Sequence, residues 1–141
     1  MIWLACLAVL PLQADSFSAS GNVFSGSVSI DAAGEILPVD DAFRLGAYQD
    51  NDHAVVFWQI LPGYFLYRDK FVFLVDDKPF EVELPEGVLR QDEIFGEVQV
   101  FSGLVETRMP QGLDRITVQY QGCAAQGYCY PPQKRSLKSF K

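Results

Sequence analysis

The sequence predicts an all-β fold, an immunoglobulin-like antiparallel β-sandwich. Many short segments with alternating or continuous apolar residues follow one another closely, and Gly, Pro and Asp residues typical of turns separate them. No segment has a convincing helical period over any length. Trp58 lies in an almost continuous apolar segment, residues 54–61, which is typical of a central strand buried on both faces.

The predicted strands follow in order along the chain. Two apolar segments within residues 23–30 precede a loop at 31–34. Further strands are predicted over residues 42–48, 54–61, 64–67, 71–75, 80–84, 97–101, 103–109 and 115–120, with a short last strand over 136–138. Polar or Pro/Gly turns separate them, for example at Pro62 and Gly63 and over residues 76–79.

Composition is that of one domain with its own core. The chain has 141 residues, of which 49% are hydrophobic and 13% aromatic. Its net charge of −7 argues against nucleic acid or an anionic membrane as a partner. Residues 1–14 resemble a secretory signal, although without the usual basic start, and residues 15–141 would form the mature domain. That domain keeps two of the three cysteines, an even number that suits an oxidising compartment.

The two remaining cysteines, Cys123 and Cys129, lie on the arms of a short turn that follows the strand at 115–120. Gly122 and Gly127 give the backbone the freedom that a reversal needs, so the two cysteines can meet within disulfide geometry. Closing so short a loop stabilises a domain by only roughly 2–2.5 kcal/mol. The pattern fits a structural disulfide and a reactive one equally well.

The alternation of side chains along the 115–120 strand bears on the choice between a structural and a reactive disulfide. If the alternation continues through Gly122, Cys123 lies on the polar face with Thr117 and Gln119, which is unusual for a buried structural cystine. A bulge at Gly122 would instead reset the face. The residues alone leave both arrangements open.

Three separated motifs, in the same order, resemble the N-terminal domain of the DsbD family. They are Gln121-Gly122-Cys123 with Cys129-Tyr130-Pro131-Pro132, then Gly63-Tyr64-Phe65-Leu66-Tyr67-Arg68, and Asp92-Glu93-Ile94-Phe95-Gly96. This family comprises bacterial membrane thiol–disulfide interchange proteins that carry reducing equivalents into the periplasm. The likeness runs from about residue 16 to the end of the chain. It implies the same immunoglobulin-like fold, a periplasmic location and an inner-membrane parent protein.

The resemblance also implies roles for the cysteines and a set of partners. Cys129 would form the mixed disulfide with partners, and Cys123 would be its intramolecular mate. Electrons would come from the thioredoxin-like C-terminal domain of the same protein. They would pass to periplasmic disulfide isomerases and to thioredoxin-like proteins of cytochrome c maturation. The alternative is a non-catalytic immunoglobulin-like binding module with a structural disulfide.

We expect neither a cofactor nor a metal at this site. Thiol–disulfide exchange needs only the two sulfurs, and two cysteines without a pair of histidines make a poor zinc site. His53 is the only histidine and is expected at a solvent-exposed turn. Tyr128 and Tyr130, which flank Cys129, fit either a docking platform or core packing.

The acidic segment 92–96 has two interpretations. By itself it is a solvated turn. The resemblance implies a cap that shields the cysteine pair, with Asp92 and Glu93 near the sulfurs, where negative charge raises a thiol pKa. Two departures affect this expectation: Ile94, next to Phe95 and Gly96, stands where the family usually has an aromatic residue, and Phe65 replaces a site-lining tyrosine. Tyr67 keeps its hydroxyl group.

Overall fold

A computed structural model describes residues 34–137, which form antiparallel β-sheets with very little helix. The strands are β1 (Phe43–Asp50), β2 (His53–Ile60), β3 (Tyr64–Tyr67), β4 (Val72–Val75), β5 (Lys78–Phe80), β6 (Val88–Asp92), β7 (Gly96–Phe101), β8 (Gly103–Pro110), β9 (Ile116–Tyr120), β10 (Gly122–Ala124) and β11 (Gln133–Ser136). One helical turn, α1 (Val39–Ala42), precedes β1, and a 3₁₀ helix (Arg68–Lys70) follows β3. The all-β prediction is confirmed. The strands predicted within residues 23–30 and the signal-like segment 1–14 lie outside the described residues.

The strands of this part of the chain pair in three antiparallel sheets. Their orders are β1-β2-β8, β10-β3-β7-β6 and β11-β9-β4-β5. The main core contains Trp58 of β2, which is fully buried as predicted. Its ring makes edge-to-face contacts with Phe71, Phe73 and Tyr120, at centroid distances of 4.9, 6.1 and 5.7 Å. Within residues 34–137, no helix is long and apolar enough to cross a membrane.

Strand β3 is buried on both faces because successive side chains of a strand point to opposite sides. Leu66 points into the main core. Its neighbours Phe65 and Tyr67 point the other way, into a smaller apolar group that we call the second cluster. The second cluster consists of Phe65, Tyr67, Val98, Val100 and Cys123. This alternation places one cysteine in an apolar environment separate from the main core.

Two of the predicted strands differ from the structure by three or more residues at one end, and two strands, β6 and β10, were not predicted. The strand predicted over residues 80–84 is wrong, because Asp76 and Asp77, both at positive φ, make a two-residue turn and β5 already begins at Lys78. After Phe80 the chain leaves β4, and the hydroxyl of Thr107 on β8 donates to the carbonyl of Glu83. The last strand, β11, ends at Ser136 rather than beginning there. Strand β6 was missed because its apolar residues do not alternate, and only pairing with β7 defines it.

The chain changes sheets between β9 and β10. Strand β9 pairs with β4 and β11, whereas β10 pairs with β3. Gly122 permits this crossing, because a Cβ there would lie 2.3 Å from the Phe65 carbonyl oxygen and 2.7 Å from the Phe43 ring. Cys123 is buried, so of the two arrangements that the sequence left open, the one on the polar face of the 115–120 strand does not occur. The face is reset by a change of sheet instead of a bulge.

Candidate redox site

Cys123 and Cys129 form a disulfide, with an S–S distance of 2.10 Å. Cys123 lies on β10, and Cys129 lies opposite it across a tight turn. Backbone hydrogen bonds close this turn: the Ala124 N–H donates to the Tyr128 carbonyl at 2.7 Å, and the Tyr130 N–H donates to the Gly122 carbonyl at 3.0 Å. Backbone hydrogen bonds therefore join the two cysteine-bearing segments in addition to the disulfide.

The two cysteines differ in exposure. Cys123 is only 1% exposed and packs in the second cluster, whereas Cys129 is an exposed residue. Thiol–disulfide exchange proceeds by attack of a thiolate on one disulfide sulfur, and access decides which sulfur is attacked. The geometry favours attack at Cys129, with Cys123 as the leaving sulfur.

Tyr67 links the buried cysteine to a carboxylate. Its Oη atom lies 3.2 Å from Cys123 Sγ and donates a hydrogen bond of 2.6 Å to Asp92 Oδ2. Burial first, and then the hydrogen bond to Asp92, raise the pKa of Tyr67 well above its ordinary value. The hydrogen bond from Tyr67, followed by those from two backbone N–H groups, lowers the pKa of Asp92. At neutral pH the pair is therefore a neutral phenol beside an ionised carboxylate.

The loop 92–96 is built around the same carboxylate. Asp92 Oδ1 accepts hydrogen bonds from the backbone N–H groups of Ile94 and Phe95, at 2.8 and 3.0 Å. The Phe95 ring contacts the Tyr67 ring edge to face, with centroids 5.3 Å apart. Ile94 is 73% exposed and Phe95 is 43% exposed. Phe95 is therefore the loop side chain that packs against Tyr67, and Ile94 is mostly in solvent.

A cavity of about 210 Å³ opens beside the cystine. Both cysteines line it, together with Phe65, Tyr67, Asp92, Glu93 and Ile94, all of which the sequence had indicated. Gly96 ends the loop with a positive φ of 74°. Larger clefts, such as one of about 590 Å³ beside Tyr48 and Met109, contain no cysteine. The cystine therefore lies beside one of the smaller cavities.

Two cations contact this site, and sequence analysis found neither. The Arg90 guanidinium lies over the Phe65 ring, 4.2 Å from its centroid, and Lys70 Nζ lies 4.6 Å from the Phe95 centroid. Both positions are separated in sequence from the ring they contact, so no local pattern signals them. Phe65 thus keeps the aromatic ring and lacks only the hydroxyl, and a guanidinium covers the face of that ring.

The remaining candidates divide between surface and core. Tyr128 is exposed, whereas Tyr130 is buried against Phe43 and donates to the Leu37 carbonyl at 2.7 Å. Tyr128 alone is therefore available as a docking residue. His53 is exposed at the start of β2, as expected. No cluster of three His, Cys, Asp or Glu side chains able to hold a metal ion occurs in the described part of the chain.

An antiparallel β fold that carries a cystine with one exposed and one buried cysteine fits the class of thiol–disulfide exchange domains. The family model described as "Thiol:disulfide interchange protein DsbD, N-terminal" matches residues 33–141. The chain belongs to this DsbD N-terminal domain family, as the sequence motifs predicted.

Individual relatives agree with this assignment. The DsbD protein of Yersinia pestis strain Pestoides F is 34% identical over 143 residues, which cover 97% of this chain. That of Photorhabdus laumondii is 39% identical over 104 residues, or 70% of this chain. These matches cover 24% and 18% of the relatives' own lengths, so the chain spans about a quarter or less of them.

Solved structures have the same fold. The reduced DsbD N-terminal domain of Neisseria meningitidis matches with a TM-score of 0.63 at 26% identity, over 75% of this chain and 92% of that one. The same Neisseria domain in a complex with the PilB N-terminal domain matches with a TM-score of 0.62 at 27% identity, over 74% and 88% of the two chains. The immunoglobulin-like assignment is thereby confirmed, and a general role in thiol–disulfide interchange follows from the family.

The first prediction tests the Tyr67–Asp92 hydrogen bond. Tyr67→Phe removes the strongest cause of the lowered Asp92 pKa, so we expect that pKa to rise toward its ordinary value of 3.8. The pKa of Asp92 is lower in the folded than in the unfolded protein, so its hydrogen bonds stabilise the loop fully at pH values above the unfolded pKa. This stabilisation is lost as the pH falls through the folded pKa. NMR titration of the Asp92 carboxyl in the two proteins measures the shift. An unchanged pKa in Tyr67→Phe would contradict the assignment.

Proposed function

We propose that this chain is the periplasmic electron-carrying domain of an inner-membrane reductase. In this proposal, the cystine accepts electrons from a thioredoxin-like C-terminal domain of the same protein. The resulting dithiol then reduces periplasmic thioredoxin-fold proteins, namely disulfide isomerases and proteins of cytochrome c maturation. The observation that carries the proposal is the contrast between exposed Cys129 and buried Cys123 in one disulfide.

The accepting half-reaction begins with a thiolate of the donor. It attacks Cys129 Sγ, a new S–S bond joins donor and Cys129, and the Cys123–Cys129 bond breaks with its electron pair on Cys123. Cys123 takes up a proton, and the Tyr67 hydroxyl at 3.2 Å is placed to hydrogen-bond that sulfur. The donor's second thiolate then attacks its own sulfur in the mixed disulfide and releases Cys129. The donor is oxidised to a disulfide, and the domain gains two electrons and two protons.

The delivering half-reaction runs in the opposite direction. The Cys129 thiolate attacks the disulfide of an acceptor, and one acceptor sulfur leaves as a thiolate. Cys123 then gives up its proton and attacks Cys129 Sγ as a thiolate, which frees the acceptor's other sulfur and restores the cystine. The two acceptor sulfurs take up two protons. The turn hydrogen bonds between residues 122 and 130 keep Cys123 in range for this second step. The acceptor leaves as a dithiol.

Docking of a separate protein domain is part of this proposal. The Neisseria DsbD N-terminal domain has been solved in a complex with the PilB N-terminal domain, so a relative of similar fold binds another domain. Exposed Tyr128, beside Cys129, and exposed Ile94, at the cavity, offer apolar contacts on this chain. We infer that partners contact these two side chains while they react at Cys129.

We further propose that loop 92–96 is a cap over Cys123, the buried member of the cysteine pair. Phe95 covers the Tyr67 ring, and Asp92 holds the loop and the tyrosine together. Cys129 stays exposed with the loop in place, so the cap protects mainly Cys123. The nearby Asp92 carboxylate and the low-dielectric second cluster would both disfavour a Cys123 thiolate in the reduced domain.

The domain limits are likewise proposed. Residues 1–14 would direct export as a signal-like segment, and residues 15–141 would form the exchange domain. The family match over residues 33–141 supports the second limit only from residue 33 onward.

A structural disulfide in a binding module is the competing function, and the burial of Cys123 is the observation that favours it. The second prediction separates the two. Because the cystine closes a short loop outside the main core, a Cys123→Ala/Cys129→Ala variant should lose only about 2–2.5 kcal/mol from the lost cross-link, and somewhat more from the small cavity at residue 123. Its circular dichroism should stay native-like, and its chemical unfolding cooperative. Loss of cooperative unfolding would favour the structural disulfide.

The third prediction concerns the roles of the two cysteines. Cys123→Ala should accumulate a mixed disulfide through Cys129, because the resolving thiol is absent. Cys129→Ala should capture no partner, because its remaining sulfur is buried. Trapping from periplasmic extract, followed by non-reducing electrophoresis, measures both. Capture by Cys123 in the Cys129→Ala protein would reverse the assignment.

The fourth prediction tests the cap. In the reduced domain with Cys129→Ala, Phe95→Ala should accelerate alkylation of Cys123 by iodoacetamide about two- to ten-fold, the range expected for losing one aromatic pair. Ile94→Ala serves as the matched control and should change the rate less, because its side chain is mostly in solvent. Ile94→Phe should slow alkylation. Equal rates in all four proteins at one pH would mean that the loop is only a solvated turn.

A further inference from the structure

The Phe95 ring is held from two sides. Lys70 Nζ lies 4.6 Å from the ring centroid, in the range of a cation–π contact, and the Tyr67 ring lies 5.3 Å away edge to face. The ring face carries partial negative charge that attracts the ammonium. Phe95 therefore has an electrostatic contact and an aromatic one.

Both contacts come from one short segment of chain. Tyr67 is the last residue of β3, and the 3₁₀ helix Arg68–Lys70 follows it directly. The Phe71 N–H donates to the Arg68 carbonyl at 3.4 Å and closes this turn. Lys70 thus has a defined position relative to Tyr67, and the two residues together form the surface that the Phe95 ring contacts.

The other contact of Lys70 is weaker. Its ion pair with Asp69 is long, at 3.9 Å, and the Asp69 side chain is 62% exposed, so water screens the pair. The Lys70 side chain is itself only 34% exposed. An ammonium that is partly withdrawn from water gains more from an aromatic face than a fully solvated one does.

We propose that Lys70 is a positioning residue that holds loop 92–96 closed over the buried side of the redox pair through its contact with Phe95. The inference rests on the cap assigned to this loop in the proposed function. Asp92 attaches the start of the loop to Tyr67, and Lys70 attaches its far end through Phe95. Without the ammonium, the first attachment remains, and the Phe95 end of the loop opens more often.

Amide exchange of Ile94 and Phe95 reports this opening directly, because both N–H groups bond to Asp92 Oδ1 when the loop is closed. In the oxidised domain, Lys70→Met keeps much of the aliphatic stem and removes the charge. We expect it to accelerate exchange at these two amides about two- to five-fold, the range that corresponds to one exposed cation–π contact. Lys70→Arg keeps a cation and should exchange like the wild-type protein.

Matched variants separate the ring contact from other effects. Lys78→Met makes the same substitution at an exposed position of β5 and should leave both amides unchanged. Asp69→Asn removes the ion pair and should also leave them unchanged. In a Phe95→Leu background, Lys70→Met should have no further effect, because the ring on which the ammonium acts is gone.

A second readout follows the buried sulfur. In a Cys129→Ala background, iodoacetamide labels only Cys123 of the pair, and Lys70→Met should accelerate that labelling by the same factor as amide exchange. Three outcomes would each overturn the proposal. The first is an amide exchange rate in Lys70→Met equal to that of the wild-type protein. The others are an equally large effect of Lys70→Met in the Phe95→Leu background and a raised exchange rate in Lys70→Arg. Neither readout requires electron transfer. A domain that fails to reduce partners yet shows these shifts would contradict the proposed function and leave the role of Lys70 intact.

Discussion

The two-sided burial of β3 is the constraint on which the site depends. Leu66 fills the main core, so Phe65 and Tyr67 must point to the opposite face, where they form the second cluster. Strand β10 pairs with β3 in the register Cys123↔Phe65, which directs the cysteine into that cluster and away from Trp58. Cys123 therefore lies in an apolar environment of its own, apart from the main core.

Charge around the sulfurs is fixed across the neutral range. Tyr67 stays protonated because burial and the Asp92 carboxylate raise its pKa, and Asp92 stays ionised because three hydrogen bonds lower its pKa. In the oxidised domain, the hydroxyl that contacts Cys123 is thus neutral at neutral pH. The Tyr67 hydroxyl alone lies between the Asp92 carboxylate and Cys123 Sγ, so a negative charge is close to this sulfur.

Two aromatic rings at this site each contact a cation. Arg90 covers Phe65, and Lys70 covers Phe95, on either side of the Tyr67–Asp92 hydrogen bond. Each contact is modest, but together they hold the rings that enclose the second cluster. Ile94 is mostly in solvent, whereas its neighbour Phe95 packs on the Tyr67 ring. Asp92 joins this loop to Tyr67 by a hydrogen bond.

The sequence by itself determined the strand content, the central position of Trp58, the cysteine pair and the three motifs whose side chains meet at the cavity. These follow from local patterns, because period-two alternation and turn residues act over a few neighbours. Only the tertiary structure decided that Cys123 is buried, that β6 is a strand and that Lys70 and Arg90 contact the site. Alternation predicts a face only while a strand stays in one sheet, and the chain changes sheets at Gln121. Cation–π contacts join residues that are distant in sequence, and only the folded arrangement of β3, β6 and loop 92–96 brings them together.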